Sequence, residues 1–323
     1  MYINKQERNC VVAEKIKVGL IGLGHLGKYH LKHLSSFEFV QIVGVYDLDV
    51  QVAQKIASEY QVPQADSIDT LLDVADAVSI VTPTNTHSEI ASHALEKGCH
   101  VFIEKPITDS LDSANKIKQY ISNRVIHVGH IERFNPAFIA FMNKAHNPLF
   151  LECHRLTKIN DRSMDISVIL DLMIHDIDLL VNMIKSPIQE IIADGISVIS
   201  NNIDLANVKL IFHNGCVANL TASRISNKNM RKIRVFEKQT YTSIDLLNKE
   251  VLEYSAEGNI ETNKLEFHNQ KIDVHNHDAL ATELTCFCKA IQNKNYDSSN
   301  ITAAIEALEI ATQINKIIHE KRI

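Results

Sequence analysis

The sequence predicts an α/β protein with a doubly wound parallel sheet in its N-terminal part and a C-terminal α/β domain built on an open, mainly antiparallel sheet. Three observations lead there. A buried-strand run, Ile16-Lys-Val-Gly-Leu-Ile21, enters a glycine turn and then a helical segment from Lys28 to Ser35. Strand and helix patterns alternate from there to about Val128, the rhythm of parallel strands joined by helical crossovers. From Ile188 to Leu247 strand-like segments follow one another without helices between them, which indicates antiparallel pairing.

Composition bounds the function. At 323 residues and 45% hydrophobic, the chain is long enough for two domains with separate cores. They are expected at residues 1–132 and 133–323, with 1–14 a loose polar arm. A net charge of -6 argues against coating nucleic acid or an anionic membrane, so a small molecule is the expected partner. No apolar run approaches the roughly 20 residues of a membrane span, and the polar opening is unlike a signal peptide. A cytoplasmic protein is expected. The six cysteines are scattered and read as reduced thiols.

Chemistry begins at Gly22-Leu-Gly24-His25-Leu26-Gly27. The first glycine permits a tight turn, the second lets backbone approach a pyrophosphate, and the third allows close helix–strand packing, with the helix N-terminus facing the anion. A second strand, Val40–Tyr46, ends at Asp47, where an acid can accept hydrogen bonds from ribose hydroxyls and would repel a 2′-phosphate. NAD is therefore the expected cofactor. Helices follow at about 50–59 and 68–73, a strand at 77–81, a helix at 89–97, a strand at 100–103, a helix at 110–121 and a strand at 125–128. Two strand ends carry chemistry-grade residues: Thr82-Pro83-Thr-Asn85-Thr-His87, and Glu104-Lys105-Pro106. Ligands of open parallel sheets bind beyond such ends.

In the second half, Gly129-His-Ile-Glu-Arg133-Phe-Asn135-Pro136 leads into a helix at about 137–145. The stretch Ile169–Leu180 is apolar almost throughout, yet as a helix it stacks Asp171, His175 and Asp178 on one face at i, i+4 and i+7. Burying such groups without partners is costly, so they satisfy one another in the core or line a cleft. Strands are expected at 188–199, 206–213, 216–224, 233–237 and 242–247, and helices at about 277–293 and 303–319.

These motifs, in this order and spacing, resemble the Gfo/Idh/MocA oxidoreductase family over nearly the whole chain. The resemblance implies an N-terminal Rossmann domain holding a nicotinamide nucleotide on Gly22, Gly24, His25, Leu26, Gly27, Asp47, Thr82, Pro83, Asn85, His87, Glu104 and Lys105. It also implies a C-terminal domain whose open sheet often forms the subunit interface, hence a homodimer or homotetramer. In that family the residues matching Lys105, Asp171 and His175 surround the carbon that exchanges a hydride.

An alcohol becomes a ketone when a base takes the hydroxyl proton while hydride leaves the same carbon. His175 is the expected base, Asp171 its orienting partner, and Lys105 the donor to the substrate oxygen. Residues 129–136 and 170–178 most resemble the UDP-N-acetylglucosamine 3-dehydrogenase branch, which implies a UDP-sugar substrate, a 3-ketone product and a place in diamino-sugar lipid A synthesis. Arg133, Asn135, Arg162 and Asp178 are the expected substrate-binding residues, with Arg155 and Lys158 further cations for a diphosphate. Two other readings stay open: a nicotinamide enzyme acting on a free polyol or another sugar derivative, and a non-catalytic NAD-binding sensor. His275-Asn-His277 lacks a third ligand at obvious spacing, so no metal is expected.

Overall fold

The computed structural model describes residues 14–159, 166–259 and 264–321. The expected arm at 1–14 therefore lies, apart from Glu14, outside the described residues. The first unit runs β1 (Ile16–Ile21), α1 (His25–Ser36), β2 (Val40–Tyr46), α2 (Val50–Tyr60), α3 (Ile68–Leu72), β3 (Ala77–Ile80), α4 (Thr84–Glu96), β4 (His100–Glu104), α5 (Leu111–Lys118) and β5 (Ile126–Gly129). Its strands form one parallel sheet in the order β2-β1-β3-β4-β5. Helices cover both faces, so β3 and β5 are buried throughout and read as unbroken apolar runs rather than alternating ones. Local chemistry sets several helix starts: Asp49 accepts from the Gln51 and Val52 N–H groups, and Ser67 and Thr70 form a capping box. The strand order reverses between β1 and β3, which opens a crevice beyond their carboxyl ends. Helix α4 starts at Thr84 rather than at Glu89, so Asn85 and His87 lie on its first turn.

A 3-10 turn at Ile131–Phe134 and α6 (Pro136–Met142) lead to the second unit. It comprises β6 (Phe150–Lys158), a π-helical turn (Ile169–Met173) continued by α7 (Ile174–Ile184), and then β7 (Ile188–Ile196), β8 (Leu205–Phe212), β9 (Val217–Ser226), β10 (Met230–Glu237), β11 (Thr240–Asp245), β12 (Glu250–Asn259) and β13 (Lys264–Ile272). These form an eight-stranded sheet in the order β13-β12-β11-β10-β6-β9-β8-β7. Only β6 and β9 pair in parallel; the other neighbours are antiparallel. Strands β6, β12 and β13 were not expected from the sequence. In β6 the core-facing positions are Leu151, Cys153 and Arg155, and a charged residue breaks the apolar alternation that marks a strand. In β12, Glu253 occupies an inward position beside Val251, with the same masking effect.

The chain closes with α8 (Ala279–Gln292) and α9 (Ser299–Glu320), and these correct the expected domain boundary at 132/133. Leu284, Phe287 and Cys288 of α8 are buried in the same core as Val18, Leu20 and Phe102 of the parallel sheet. Helix α9 splits its apolar residues: Ile301, Ala304, Ile305 and Leu308 join the first unit's core, while Ala311, Ile314 and Ile318 join that of the second sheet. The first unit is thus completed by the end of the chain. Sequence periodicity identifies such helices as amphipathic but not which sheet they cover.

Phe287 packs edge-on against Phe102 with ring centroids 5.7 Å apart. Phe287→Ala is expected to destabilise the protein by about 3–5 kcal/mol, read from the midpoint of urea unfolding. A loss below about 1 kcal/mol would mean that α8 is not part of the nucleotide-domain core.

Candidate active site

The glycine turn is built at the switch point of the parallel sheet. Gly22 has φ +93°, and a Cβ there would lie 2.5 Å from the Val81 carbonyl oxygen; one at Gly27 would lie 2.0 Å from the Gly22 oxygen. Both glycines are demanded by the protein's own packing. Gly24 differs: a Cβ would meet nothing within 4 Å, so the fold itself does not demand glycine there and a closely approaching ligand would. The first turn of α1 carries no side-chain cap, which leaves the N–H groups around His25, Leu26 and Gly27 directed outward. Asp47 accepts from the Leu23 N–H at 2.7 Å and the Asp49 N–H at 3.0 Å. Each carboxylate oxygen keeps a further lone pair for a ribose hydroxyl. These residues fit a nicotinamide dinucleotide. Thr82, Pro83 and Asn85 stand on the facing wall, where Thr86 donates to the Thr82 hydroxyl at 2.7 Å.

Two residues expected to bind the cofactor are engaged by the protein's own groups. His87 is 1% exposed, and its ring nitrogens contact the Pro106 and Thr82 carbonyls, both at 2.9 Å. It ties α4 to the loop after β4 and has no face left for a cofactor. Glu104 contacts Nε2 of His30 at 3.0 Å and accepts from the Lys105 N–H at 3.1 Å, while Nδ1 of His30 meets the Ser79 hydroxyl at 3.0 Å. Burial raises the Glu104 pKa, but the hydrogen bonds from His30 and Lys105 outweigh it and leave the carboxyl below its usual value. His30, which the sequence reading did not single out, thereby links α1 to the strand end that carries Lys105.

Lys105, Asp171 and His175 come together where β4 meets α7. The Lys105 ammonium donates to the Asp171 backbone oxygen at 3.0 Å and lies 3.6 Å from its carboxylate. The expected regular helix is widened here into a π turn, a feature that often marks functional positions. It departs from the expected i, i+4 stacking and presents carbonyl and carboxylate of Asp171 together to the lysine. Burial lowers the Lys105 pKa against the opposing pull of Asp171 and Glu104. The expected Asp171–His175 hydrogen bond is absent: Nδ1 of His175 is buried without a partner. Burial first, then the charges of Lys105 and Arg155, holds the His175 pKa well below the usual histidine value. The imidazole is neutral and Nε2 is left as the nitrogen able to meet a substrate.

The expected substrate-binding residues mostly serve one another. Nε of Arg133 donates to Asp178 at 2.7 Å, and its Nη2 completes the bidentate pair. Neither is free for a diphosphate. Asn135 is buried, caps α6 through the Ala137 N–H at 3.0 Å, and donates to Glu132 and to the Leu246 oxygen. Arg155 is fully enclosed: it donates to both Asp176 oxygens at 2.7–3.1 Å and to Glu132 at 2.8 Å. It is a structural tie rather than a ligand for phosphate. Arg162 lies outside the described residues. A second histidine, His130, packs edge-on to His175 with centroids 6.4 Å apart and places Nδ1 3.6 Å from Asp178. Its signal was visible as a polar residue directly after the apolar run Ile126-His-Val-Gly129.

Residues 16–130 match the model of the oxidoreductase family with an NAD-binding Rossmann fold, and residues 137–240 match the GFO/IDH/MocA C-terminal domain. UDP-N-acetylglucosamine 3-dehydrogenase of Acidithiobacillus ferrooxidans is 36% identical over 280 residues, 85% of this chain and 88% of that protein. The chain belongs to the Gfo/Idh/MocA oxidoreductase family. A solved structure of the Acidithiobacillus enzyme superposes with TM-score 0.87 at 33% identity, covering 94% of this chain and 97% of that one. Myo-inositol 2-dehydrogenase from Lactobacillus plantarum shares the fold, with TM-score 0.77 at 18% identity over 95% of this chain and 98% of that one. As a Gfo/Idh/MocA member, the chain is an NAD-binding oxidoreductase whose named relatives include sugar and inositol dehydrogenases. Among the described residues no group of His, Cys, Asp or Glu is placed to hold a metal. No helix among them is long and apolar enough to cross a membrane.

Burial, against the opposing charge of Asp178, lowers the His130 pKa from 6.5 to about 4. The unfolded chain therefore takes up a proton that the folded one refuses, so stability from this group is complete above pH 6.5 and falls towards pH 4. The expected slope is about 1.4 kcal/mol per pH unit. His130→Gln is expected to remove that slope from urea unfolding measured across this window. An unchanged slope would mean His130 titrates normally in the folded state.

Proposed function

We propose that this protein is an NAD-dependent dehydrogenase that oxidises the 3-hydroxyl of UDP-N-acetylglucosamine to a ketone. One observation carries the reading: Lys105, Asp171 and a neutral His175 converge beside the glycine-turn crevice, in a chain 36% identical over most of its length to an enzyme of that name. When bound, NAD supplies the acceptor for the hydride. His175 receives the hydroxyl proton on Nε2, because Nδ1 is the enclosed nitrogen. Lys105 directs a donor at the substrate oxygen and stabilises negative charge as the proton leaves, while Asp171 holds the ammonium in place. The imidazolium so formed has no hydrogen-bonded carboxylate and is repelled by Lys105 and Arg155, which favours quick release of its proton.

The reading extends to the ketone's use. A 3-keto sugar is the substrate class of an amino transfer, leading to a diamino sugar of the lipid A type. It places the enzyme in the cytoplasm, where UDP-sugars and nicotinamide nucleotides are held. The exposed Tyr254 and Phe267 on the outer strands support a homo-oligomer, a homodimer or homotetramer, formed through the open sheet.

His175→Ala and Lys105→Ala are each expected to lower turnover of UDP-N-acetylglucosamine by about two orders of magnitude or more. NAD affinity, followed by calorimetry, should stay within about threefold. The assay follows cofactor reduction, with an aminotransferase and glutamate drawing off the ketone, against a panel of UDP-sugars and free polyols. Turnover of a free polyol but of no UDP-sugar would overturn the substrate. Tight NAD binding with no turnover of any substrate would point to a sensor.

A further inference from the structure

A UDP-sugar brings two phosphates close to the reacting ring; of the four cations expected to meet them two are spent, and Arg162 lies outside the described residues. Arg133 is paired with Asp178, and Arg155 is enclosed between Asp176 and Glu132. Lys158 follows the strand alternation in which Leu151, Cys153 and Arg155 face the helices, so its side chain leaves on the opposite face.

Arg231 on β10 differs from all of these. It stands directly opposite Arg155 in the β10–β6 register and shares the parity of Ile233 and Val235, which are buried in the core beneath α7. It therefore lies on the same face as α7, yet its side chain is 45% exposed. The arginine stands at the rim of the site, where the helices no longer cover the sheet.

Its pairing is incomplete. Nη1 of Arg231 lies 3.3 Å from Oε1 of Glu132, and that oxygen also receives Arg155 at 2.8 Å. Oε2 of Glu132 is taken by Asn135, and both Asp176 oxygens by Arg155. Arg231 thus holds part of one carboxylate oxygen and makes no other ion pair among the described residues. A guanidinium offers five donors in a planar fork suited to phosphate, so most of this fork is open. Its charge reaches His175 and disfavours the imidazolium there, which places it within electrostatic range of the reacting centre. Glu132 holds one end of the guanidinium through Nη1, and the side chain is otherwise half exposed to solvent.

We propose that Arg231 is the residue that binds the substrate's phosphate groups, setting specificity for a nucleotide sugar over a free sugar. It anchors the diphosphate at the rim while the sugar reaches inward to Lys105 and His175. This rests on the UDP-sugar reading above. Because the contact is made equally in ground and transition states, its loss raises KM more than it lowers kcat.

The test uses the full-length protein with NAD bound. Calorimetry measures UDP, with uridine as the phosphate-free control, for the wild type, Arg231→Gln, Arg231→Lys and Lys158→Ala; steady-state kinetics with UDP-N-acetylglucosamine accompany it. Arg231→Gln is expected to weaken UDP binding and raise KM about tenfold to a hundredfold, with uridine affinity unchanged. Arg231→Lys should recover part of the loss, and Lys158→Ala should match the wild type. If Arg231→Gln unfolds, Arg231→Lys decides alone: it keeps the charge but loses the fork, so UDP affinity equal to wild type would count against the proposal. UDP affinity and KM unchanged in Arg231→Gln would overturn the proposal while leaving the UDP-sugar reading intact. A wild type that binds neither UDP nor UDP-N-acetylglucosamine would overturn both.

Discussion

Arg155 carries a permanent charge into the buried interior, and the arrangement around it follows from that constraint. An isolated buried charge is prohibitively costly, and removing one partner of a buried pair generally costs about 3–5 kcal/mol. Glu132 and Asp176 meet the requirement, one from the turn that leaves the parallel sheet and one from the helix that carries His175. Burial works against the charge, but the two carboxylates raise the Arg155 pKa above its usual value. The guanidinium fork therefore has to bring β6, the inter-unit turn and α7 to one point. Asp176 directly follows His175, so fixing its side chain also fixes the rotation of α7 and the direction of the imidazole.

The same cluster shapes the chemistry. In the proposed reaction, a histidine kept neutral beside Lys105 and Arg155 accepts a proton but does not hold it for long. The carboxylate nearest in sequence, Asp171, is occupied by Lys105 instead. The site thus separates two tasks often joined in one dyad: the aspartate holds the lysine, while packing and neighbouring charges set the histidine. The interlock also spans both units, because Lys105 follows a strand of the parallel sheet whereas Asp171 and His175 lie between β6 and β7 of the second sheet. A cleft assembled this way depends on how α8 and α9 clamp the two sheets together.

Much of the first unit was legible because its signals are local. Gly22 needs glycine for its positive φ and Gly27 for its approach to the Gly22 oxygen, both reasons that act within the turn, and the apolar runs of β1, β3 and β4 are long enough to mark buried strands. The second unit was less legible. Arg155 inside β6 and Glu253 inside β12 look like surface residues until the partners that neutralise them, Asp176 and Lys144, are known. Arg133 and Arg155 looked available to phosphate for the same reason, since charge type is written in sequence and charge pairing is not. His87 and Asn135 were read as ligand-facing, and each turned out to satisfy backbone groups of its own neighbourhood.

By itself the sequence determined the nucleotide-binding turn, the alternation that makes a parallel sheet, and the residue types Lys105, Asp171 and His175, because these depend on periodicity, turn sterics and side-chain chemistry within a few residues. Tertiary structure alone decided which polar groups pair and which remain free: that Asp171 serves Lys105, that His175 stands without a carboxylate, and that Arg231 keeps an open fork. It decided as well that α8 belongs with the first sheet. These outcomes rest on contacts between residues far apart in the chain, where distance and burial, rather than composition, set whether a charge is spent or available.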